Sequence, residues 1–308
     1  MKRIKIKAPA TIANLVCGFD ILGVCLQEPF DIMEVSLLEN KEILLEHEGD
    51  LLLPQEPHLN TAGAPLLAML NEIPEIFGFK VRIQKNIKPG SGLGSSAASA
   101  AGAVVAANAL LNNRFSKTDL LRFAMEGEKV ASGVKHADNI APVIYGGTTL
   151  IRSIFPLDIV SIPTPALFIT VVHPQIEVRT SDARQILRKE VLLKDAIKQW
   201  GNIAGLVAGF MKDDYELISR SLEDRIIEPV RSILIPEFSK LKTKCIQAGA
   251  LGGGISGSGP SIFMLSKDQE TALAVEKVMQ DIYTAMPLHH YTYVTSINHL
   301  GCGIIEHD

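Results

Sequence analysis

Apolar and polar side chains alternate one for one at the start of the chain: Ile4, Ile6 and Ala8 stand against Arg3, Lys5 and Lys7. Successive side chains of a strand point to opposite faces, so this run predicts a strand with one buried face. The alternation returns over 31–38, through Ile32, Glu34 and Ser36, and over 43–48, which reads as the hairpin partner of 31–38. It is cleanest over 79–84, with Phe79, Val81 and Ile83 against Lys80, Arg82 and Gln84. Residues 167–172 are continuously apolar and read as a buried strand, and further strands are predicted at 261–265 and 291–297. Between these runs the apolar period lengthens to that of a helix. Helices are predicted at 58–71, 97–111, 117–131, 196–210, 215–222, 238–247 and 272–285. Helix 117–131 has Ser116 or Thr118 as its cap, and its stripe of Leu121, Ala124 and Met125 runs on to Glu128. Glu126 lies off that stripe and reads as solvated.

Composition narrows the class. A chain of 308 residues suits two domains, and prolines cluster at a composition break over 162–166. A hydrophobic fraction of 47% and a charged fraction of 21% describe an ordinary globular protein. A net charge of −4 gives no general attraction to nucleic acid or to an acidic membrane. The opening Met1-Lys2-Arg3-Ile4 runs into a strand pattern rather than a leader's apolar core, and the apolar run 97–111 is shorter than the roughly 20 residues of a spanning helix. Cys17, Cys25, Cys245 and Cys302 show no CxxC pairing, so the expectation is reduced thiols in the cytoplasm and no structural zinc.

One stretch carries chemistry. Pro89-Gly90-Ser91-Gly92-Leu93-Gly94-Ser95-Ser96 follows the strand 79–84 and opens the small-residue helix 97–111. Glycine lets a backbone bend tightly and approach an anion, and the start of a helix adds unpaired N–H groups and a positive dipole end. Together they form a phosphate cradle. Ser95 and Ser96 suit the helix cap and place a hydroxyl where a phosphate-bound Mg2+ would sit. The plainer reading is a tight turn before a close-packed helix. No lysine follows Gly94, which excludes a Walker A loop, and the spacing is not that of a dinucleotide fingerprint.

Other residues admit two readings each. Asn14 and Asp20 interrupt an apolar run, either as local turn caps or as the lining of a cleft for a polar ligand. Glu128 on a buried stripe is either one half of a salt bridge or a hard-oxygen Mg2+ ligand beside Ser96. The cluster His136, Asp138 and Asn139 is either a capping turn or a substrate contact. Arg184 on a helix capped by Thr180 or Ser181 is either solvated or a carboxylate fork, and Arg231 is a second such fork. The run 252–260, Gly-Gly-Gly-x-Ser-Gly-Ser-Gly-Pro, is either turn filler or a second ordered glycine loop.

The run Pro89 to Ala98 resembles the phosphate loop of the GHMP kinases, the superfamily of galactokinase, homoserine kinase, mevalonate kinase and phosphomevalonate kinase. The glycine run 252–260 resembles that superfamily's third motif, a loop that closes against the phosphate loop. Asn14-Leu15-Val16-Cys17-Gly18-Phe19-Asp20, the segment His136 to Asn139, and Thr180 to Arg184 are similar to homoserine kinases. The resemblance spans essentially the whole chain. It implies an α+β fold of two domains, a ribosomal-protein-S5-like N-terminal domain over 1–162 and a ferredoxin-like C-terminal domain over 163–308. It implies ATP and Mg2+ as cofactors and L-homoserine as acceptor, in a step toward threonine. It assigns ATP to Pro89 through Ser96 and to Asn60, and the metal to Ser96 and Glu128. The substrate ammonium falls to Asp20 and its carboxylate to Arg184 and Arg231, with Asn14, His136 and Asn139 as further contacts. Thr180 lies near the transferred phosphate, and Asp138 and Asn139 compete for the place beside the substrate hydroxyl. A homodimer is implied only at the level of the family.

Overall fold

The computed structural model describes residues 2–49, 52–176, 178 and 180–307, with the side chains of 180–182 left aside. The first unit runs β1 (Arg3–Ala13), β2 (Leu22–Leu38), β3 (Ile43–Glu48), α1 (Gly63–Leu70), β4 (Gly78–Gln84), α2 (Ser95–Leu110), α3 (Lys117–Ser132), α4 (Ile140–Tyr145), β5 (Thr148–Ile154) and β6 (Leu157–Ile162). The second runs β7 (Phe168–Pro174), α5 (Thr180–Gln185), α6 (Leu193–Lys212), α7 (Tyr215–Ser221), α8 (Glu228–Arg231), α9 (Phe238–Gln247), β8 (Gly252–Ile255), β9 (Ile262–Ser266), α10 (Gln269–Thr284) and β10 (His290–Ser296). A last strand, β11 (Gly303–His307), returns to the first sheet.

Burial explains the alternation. Ile4, Ile6 and Ala8 of β1 are buried and lie opposite Val35, Met33 and Asp31 of antiparallel β2. Helix α2 packs over these strands, and Ala97, Ala98, Ala100, Ala101, Ala103, Ala106 and Ala107 are all buried. Small side chains let the helix sit close to the sheet and be covered all round. Helix α3 starts at Ser116, whose hydroxyl accepts from the Asp119 N–H at 3.2 Å while Asp119 accepts from the Ser116 N–H at 3.1 Å. This reciprocal pair makes Ser116 the cap.

Three expectations change. Strand β3 is not the hairpin partner of β2. It runs parallel to β4, with Ile43 opposite Phe79 and Leu45 opposite Val81, and lies at the sheet edge. Alternation reports which face is buried, not which strand lies alongside, and α1 provides the crossover a parallel pair needs. Residues 252–255 of the second glycine run form β8, paired with β9. Three glycines leave a strand with no side-chain alternation to read. Strand β11 pairs with β1, Ile4 opposite His307 and Ile6 opposite Ile304, so the first sheet takes its edge from beyond residue 162.

The second sheet has the order β10-β7-β9-β8 with antiparallel neighbours. Fourth, first, third, second is the ferredoxin-like arrangement expected of this half. Val172, Leu241, Met264, Val275, Met279 and Tyr283 form the buried core between its strands and helices α9 and α10. No described helix is long and apolar enough to cross a membrane.

Candidate active site

The phosphate loop connects the end of β4 to the start of α2. Gly90, Gly92 and Gly94 all have positive φ, at 75°, 81° and 67°. Gly94, rather than a serine, takes the cap position of α2. The serine hydroxyls are used elsewhere. Ser95 Oγ donates to the Ile87 carbonyl at 2.7 Å, and Ser96 Oγ donates to Glu128 Oε2 at 3.0 Å. A Cβ at Gly92 would fall 2.6 Å from the Ser256 carbonyl oxygen and 2.7 Å from that of Gly259. Ser256 Oγ donates to the Gly92 carbonyl at 2.7 Å, and the Ser261 N–H donates to that of Ser91 at 3.2 Å. The second glycine loop therefore closes on the first.

Beneath the loop lies a buried ion pair that sequence reading missed. Lys85 Nζ pairs with Asp31 and also donates to the Ser95 carbonyl and to Ser99 Oγ, both at 3.0 Å. Asp31 Oδ1 accepts from the N–H groups of Asn86 and Ile87, both at 2.8 Å. The signal was there: Asp31 shares the buried phase of β2 with Met33 and Val35.

At the far end of the cleft the chain between β1 and β2 adopts an unusual backbone. Asn14, Leu15, Val16 and Asp20 have φ of 77°, 40°, 67° and 61°. A β-branched residue such as Val16 is rare there, and such strain persists only where surrounding packing over-determines it. Asn14 holds the turn together. Its Nδ2 donates to the Gly257 carbonyl at 2.9 Å and its Oδ1 accepts from the Asp20 N–H at 3.0 Å. Arg184 on α5 donates to both Asp20 oxygens, at 3.0 and 3.1 Å, and His136 Nε2 lies 4.0 Å from Asp20. Arg231 at the end of α8 is buried and donates to the carbonyls of Ala183 and Gly257 at 3.0 and 3.1 Å. Both guanidinium groups lie against the Phe19 ring, 4.9 Å from its centre for Arg231 and 5.6 Å for Arg184.

A cavity of about 630 Å³ joins the two ends. Asn14, Asp20, Pro89, Gly90, Gly92, Gly94, Ser95, Ser96, Glu128, His136, Asp138, Asn139, Arg184 and Arg231 all line it. Ser91 and Leu93 are buried beneath the loop and are not among its lining residues. Asn60 also stays outside. Its Nδ2 donates to the Pro54 carbonyl at 2.6 Å and its Oδ1 accepts from the Ala62 N–H at 2.8 Å, while neighbouring Thr61 reaches the cavity. The side chain of Thr180 lies outside the described residues.

The cleft perturbs its titratable groups. Burial pushes the Asp138 carboxyl up to about 7, and the Asp20 and Glu128 carboxylates push the same way. Burial also raises Glu128, against the Ser96 hydrogen bond and the charge of Arg184. Burial lowers His136, with Asp20 opposing it. Arg231 is pushed down to about 10, first by burial and then by the like charge of Arg184. Asn139 Oδ1 accepts from Thr11 Oγ1 at 2.8 Å, which leaves its amide N–H groups as donors. Among the described residues no three His, Cys, Asp or Glu converge as a metal cage.

An anion cradle faces a paired carboxylate and guanidinium across one cavity, between two α+β units. Residues 60–147 match the GHMP kinase N-terminal domain, and residues 206–285 match the GHMP kinase C-terminal domain. A homoserine kinase of Chloroherpeton thalassium is 45% identical over 92% of this chain and 93% of its own length. The chain belongs to the homoserine kinase family of GHMP kinases. A homoserine kinase of Methanococcus maripaludis is 40% identical over 99% of both chains. The crystal structure of homoserine kinase from Cytophaga hutchinsonii superposes with a TM-score of 0.94 at 45% identity, covering 98% of this chain and 97% of that one. A mevalonate kinase of L. major shares the fold, with a TM-score of 0.72 at 14% identity. Membership of this kinase family implies ATP as phosphoryl donor.

Proposed function

We propose that this chain transfers the γ-phosphoryl group of ATP to the side-chain hydroxyl of L-homoserine, giving ADP and O-phospho-L-homoserine on the route to threonine. The observation that carries the reading is the Asp20–Arg184 pair at the end of the cleft away from the phosphate loop. An amino acid's head group bears one ammonium and one carboxylate. It can replace that pair charge for charge, its ammonium on Asp20 and its carboxylate on the forks of Arg184 and Arg231. A hydroxy acid without an amine would leave Asp20 uncompensated.

Phosphoryl transfer is mostly positioning and charge neutralisation. The loop amides from Gly92 to Ser96 and the start of α2 would hold the phosphates. Ser96 Oγ and the Glu128 carboxylate are hard oxygen donors that fit Mg2+, and they already touch at 3.0 Å. The ion, when bound, neutralises phosphate charge. Phosphate oxygens and water would complete its coordination. Asn139 would orient the substrate hydroxyl by donating to it. Asp138, titrating near neutrality beside it, is the group able to take up the released proton. Thr180 would stand near the transferred phosphate.

The test is ADP release with MgATP against L-homoserine, mevalonate, galactose and no acceptor. Homoserine-dependent turnover is expected, falling by about 10²–10³-fold in Glu128→Ala. Arg184→Ala should raise the KM for homoserine by about 10–100-fold, the loss of a charged hydrogen bond. Turnover with another acceptor alone overturns the homoserine assignment and leaves the phosphate end intact. ATP binding without turnover on any acceptor argues for a ligand-binding protein instead.

A further inference from the structure

Thr11 carries a hydroxyl into an apolar setting: it is 0% exposed, as are its β1 neighbours Ala10, Ile12 and Ala13. A buried hydroxyl is unfavourable unless it is hydrogen-bonded, so its partners show what it does there. The ladder between β1 and β2 breaks register just before it, with Pro9 opposite Phe30 and Thr11 opposite Cys25. Such irregularities re-aim a side chain, and they gather beside active sites. The Thr11 N–H donates to the Leu93 carbonyl of the phosphate loop at 3.1 Å, and Thr11 Oγ1 donates to Asn139 Oδ1 at 2.8 Å. A Cβ on Gly94 would fall 2.1 Å from Thr11 Oγ1 and 3.0 Å from Asn139 Oδ1, so the glycine at the cap of α2 makes room for this bond.

Asn139 is turned away from its ordinary use. It stands at the cap position of α4, where an asparagine oxygen usually accepts a helix N–H, yet its side chain makes no such bond. An amide can present either end, and the two ends do opposite things to a substrate hydroxyl. With Oδ1 on Thr11, the Nδ2 hydrogens are the end left for the cavity that Asn139 lines. With the amide flipped, Nδ2 would donate to Thr11 Oγ1, and the buried Thr11 proton would lose the only acceptor it has among the described residues. The carbonyl would then face the substrate hydroxyl and hold its proton back from Asp138, since an amide oxygen is too weak a base to take that proton up.

We propose that Thr11 is a positioning residue for phosphoryl transfer. Its hydroxyl selects the amide orientation in which Asn139 donates to the acceptor oxygen, leaving that oxygen's proton for the Asp138 carboxylate. Its backbone ties the same arrangement to the phosphate loop through Leu93. Thr11 is not among the residues lining the cavity, so it acts through Asn139. The inference rests on the reading that Asn139 meets the acceptor hydroxyl.

The experiment measures kcat and both KM values with MgATP and L-homoserine. It compares the wild-type chain with Thr11→Val, Thr11→Ser, Asn139→Ala and the double variant Thr11→Val/Asn139→Ala. Valine keeps the shape of threonine and removes the hydroxyl. Thr11→Val should lower kcat by about 10–100-fold, with the KM values for homoserine and ATP within about 2-fold of wild type. Thr11→Ser keeps the hydroxyl and should stay within about 3-fold of the wild-type kcat. Asn139→Ala should lose as much as Thr11→Val or more, and adding Thr11→Val to it should cost nothing further. Circular dichroism and melting check the fold, and Thr11→Ala stands in should the valine variant misfold. A Thr11→Val enzyme with wild-type kcat, while Asn139→Ala is impaired, overturns the proposal alone. So does a serine variant as slow as the valine one, or a valine substitution that slows Asn139→Ala as much as it slows wild type. Asn139→Ala at the wild-type rate overturns both the proposal and the reading of Asn139 on which it rests.

Discussion

Phe19 lies against two guanidinium groups that repel each other. An aromatic face attracts cations, by roughly 0.5–2 kcal/mol depending on desolvation, so the ring offsets part of the repulsion while the arginines converge on the cleft. Phe19→Leu keeps apolar volume but loses that face. It should raise the KM for homoserine by about 2–30-fold with the KM for ATP unchanged, whereas Phe19→Trp should retain wild-type affinity. A leucine variant indistinguishable from wild type, or a tryptophan variant as weak as the leucine one, would exclude the role. Asp138 makes a stability prediction. Its folded pKa of about 7 stands above its ordinary 3.8, so the folded state binds more protons than the unfolded one between those values. Stability contributed by this group is therefore full below about pH 4 and is lost as pH rises through 7. Melting curves from pH 4 to 8 should show Asp138→Asn with a flatter decline than wild type. At this scale the sequence was informative where a polar residue stood in a buried phase, as Glu128 did. Asp31 obeyed the same rule and was passed over because its partner, Lys85, is distant in sequence.

Among the elements, the two glycine loops depend on each other. Gly92 needs positive φ, and a Cβ there would press on two carbonyl oxygens of the opposing loop. Gly92→Ala should therefore lower stability by more than about 1 kcal/mol and weaken ATP binding, read by thermal melting and by isothermal titration. A variant with native ATP affinity and melting temperature would show that the loops separate freely. Long elements with clear periods, such as β4, α3 and α10, were legible to within a few residues. The six-residue α4 was not, because it is too short to show a helical period. Nor was β8, whose glycines carry no pattern. Pairing was the weakest inference, as β3 shows: an amphipathic strand records its solvent face and nothing of its neighbour.

The two-domain α+β fold was legible in outline, because a glycine loop marked each half, but the return of β11 carried no sequence signal. Ile304 and Ile305 are both partly exposed on this edge strand, 53% and 42%. Removing residues 303–307 should leave the β1 edge unpaired and lower the melting temperature by several degrees, with aggregation on heating; an unchanged melting curve would assign β11 no part in holding the sheet. The return has a mechanical consequence as well. The chain passes between the two units at 163–167 and again at 297–302, where the Asn298 N–H donates to the Cys25 carbonyl and the Cys302 N–H to that of Val143. A body tethered at one point can swivel in any direction, but a body tethered at two turns about the line that joins them. Here even that turn is closed off, because one buried core runs on from Ile4 and Ile6 of the first unit to Phe210 and Phe263 of the second, and Ser256 stays seated on Gly92.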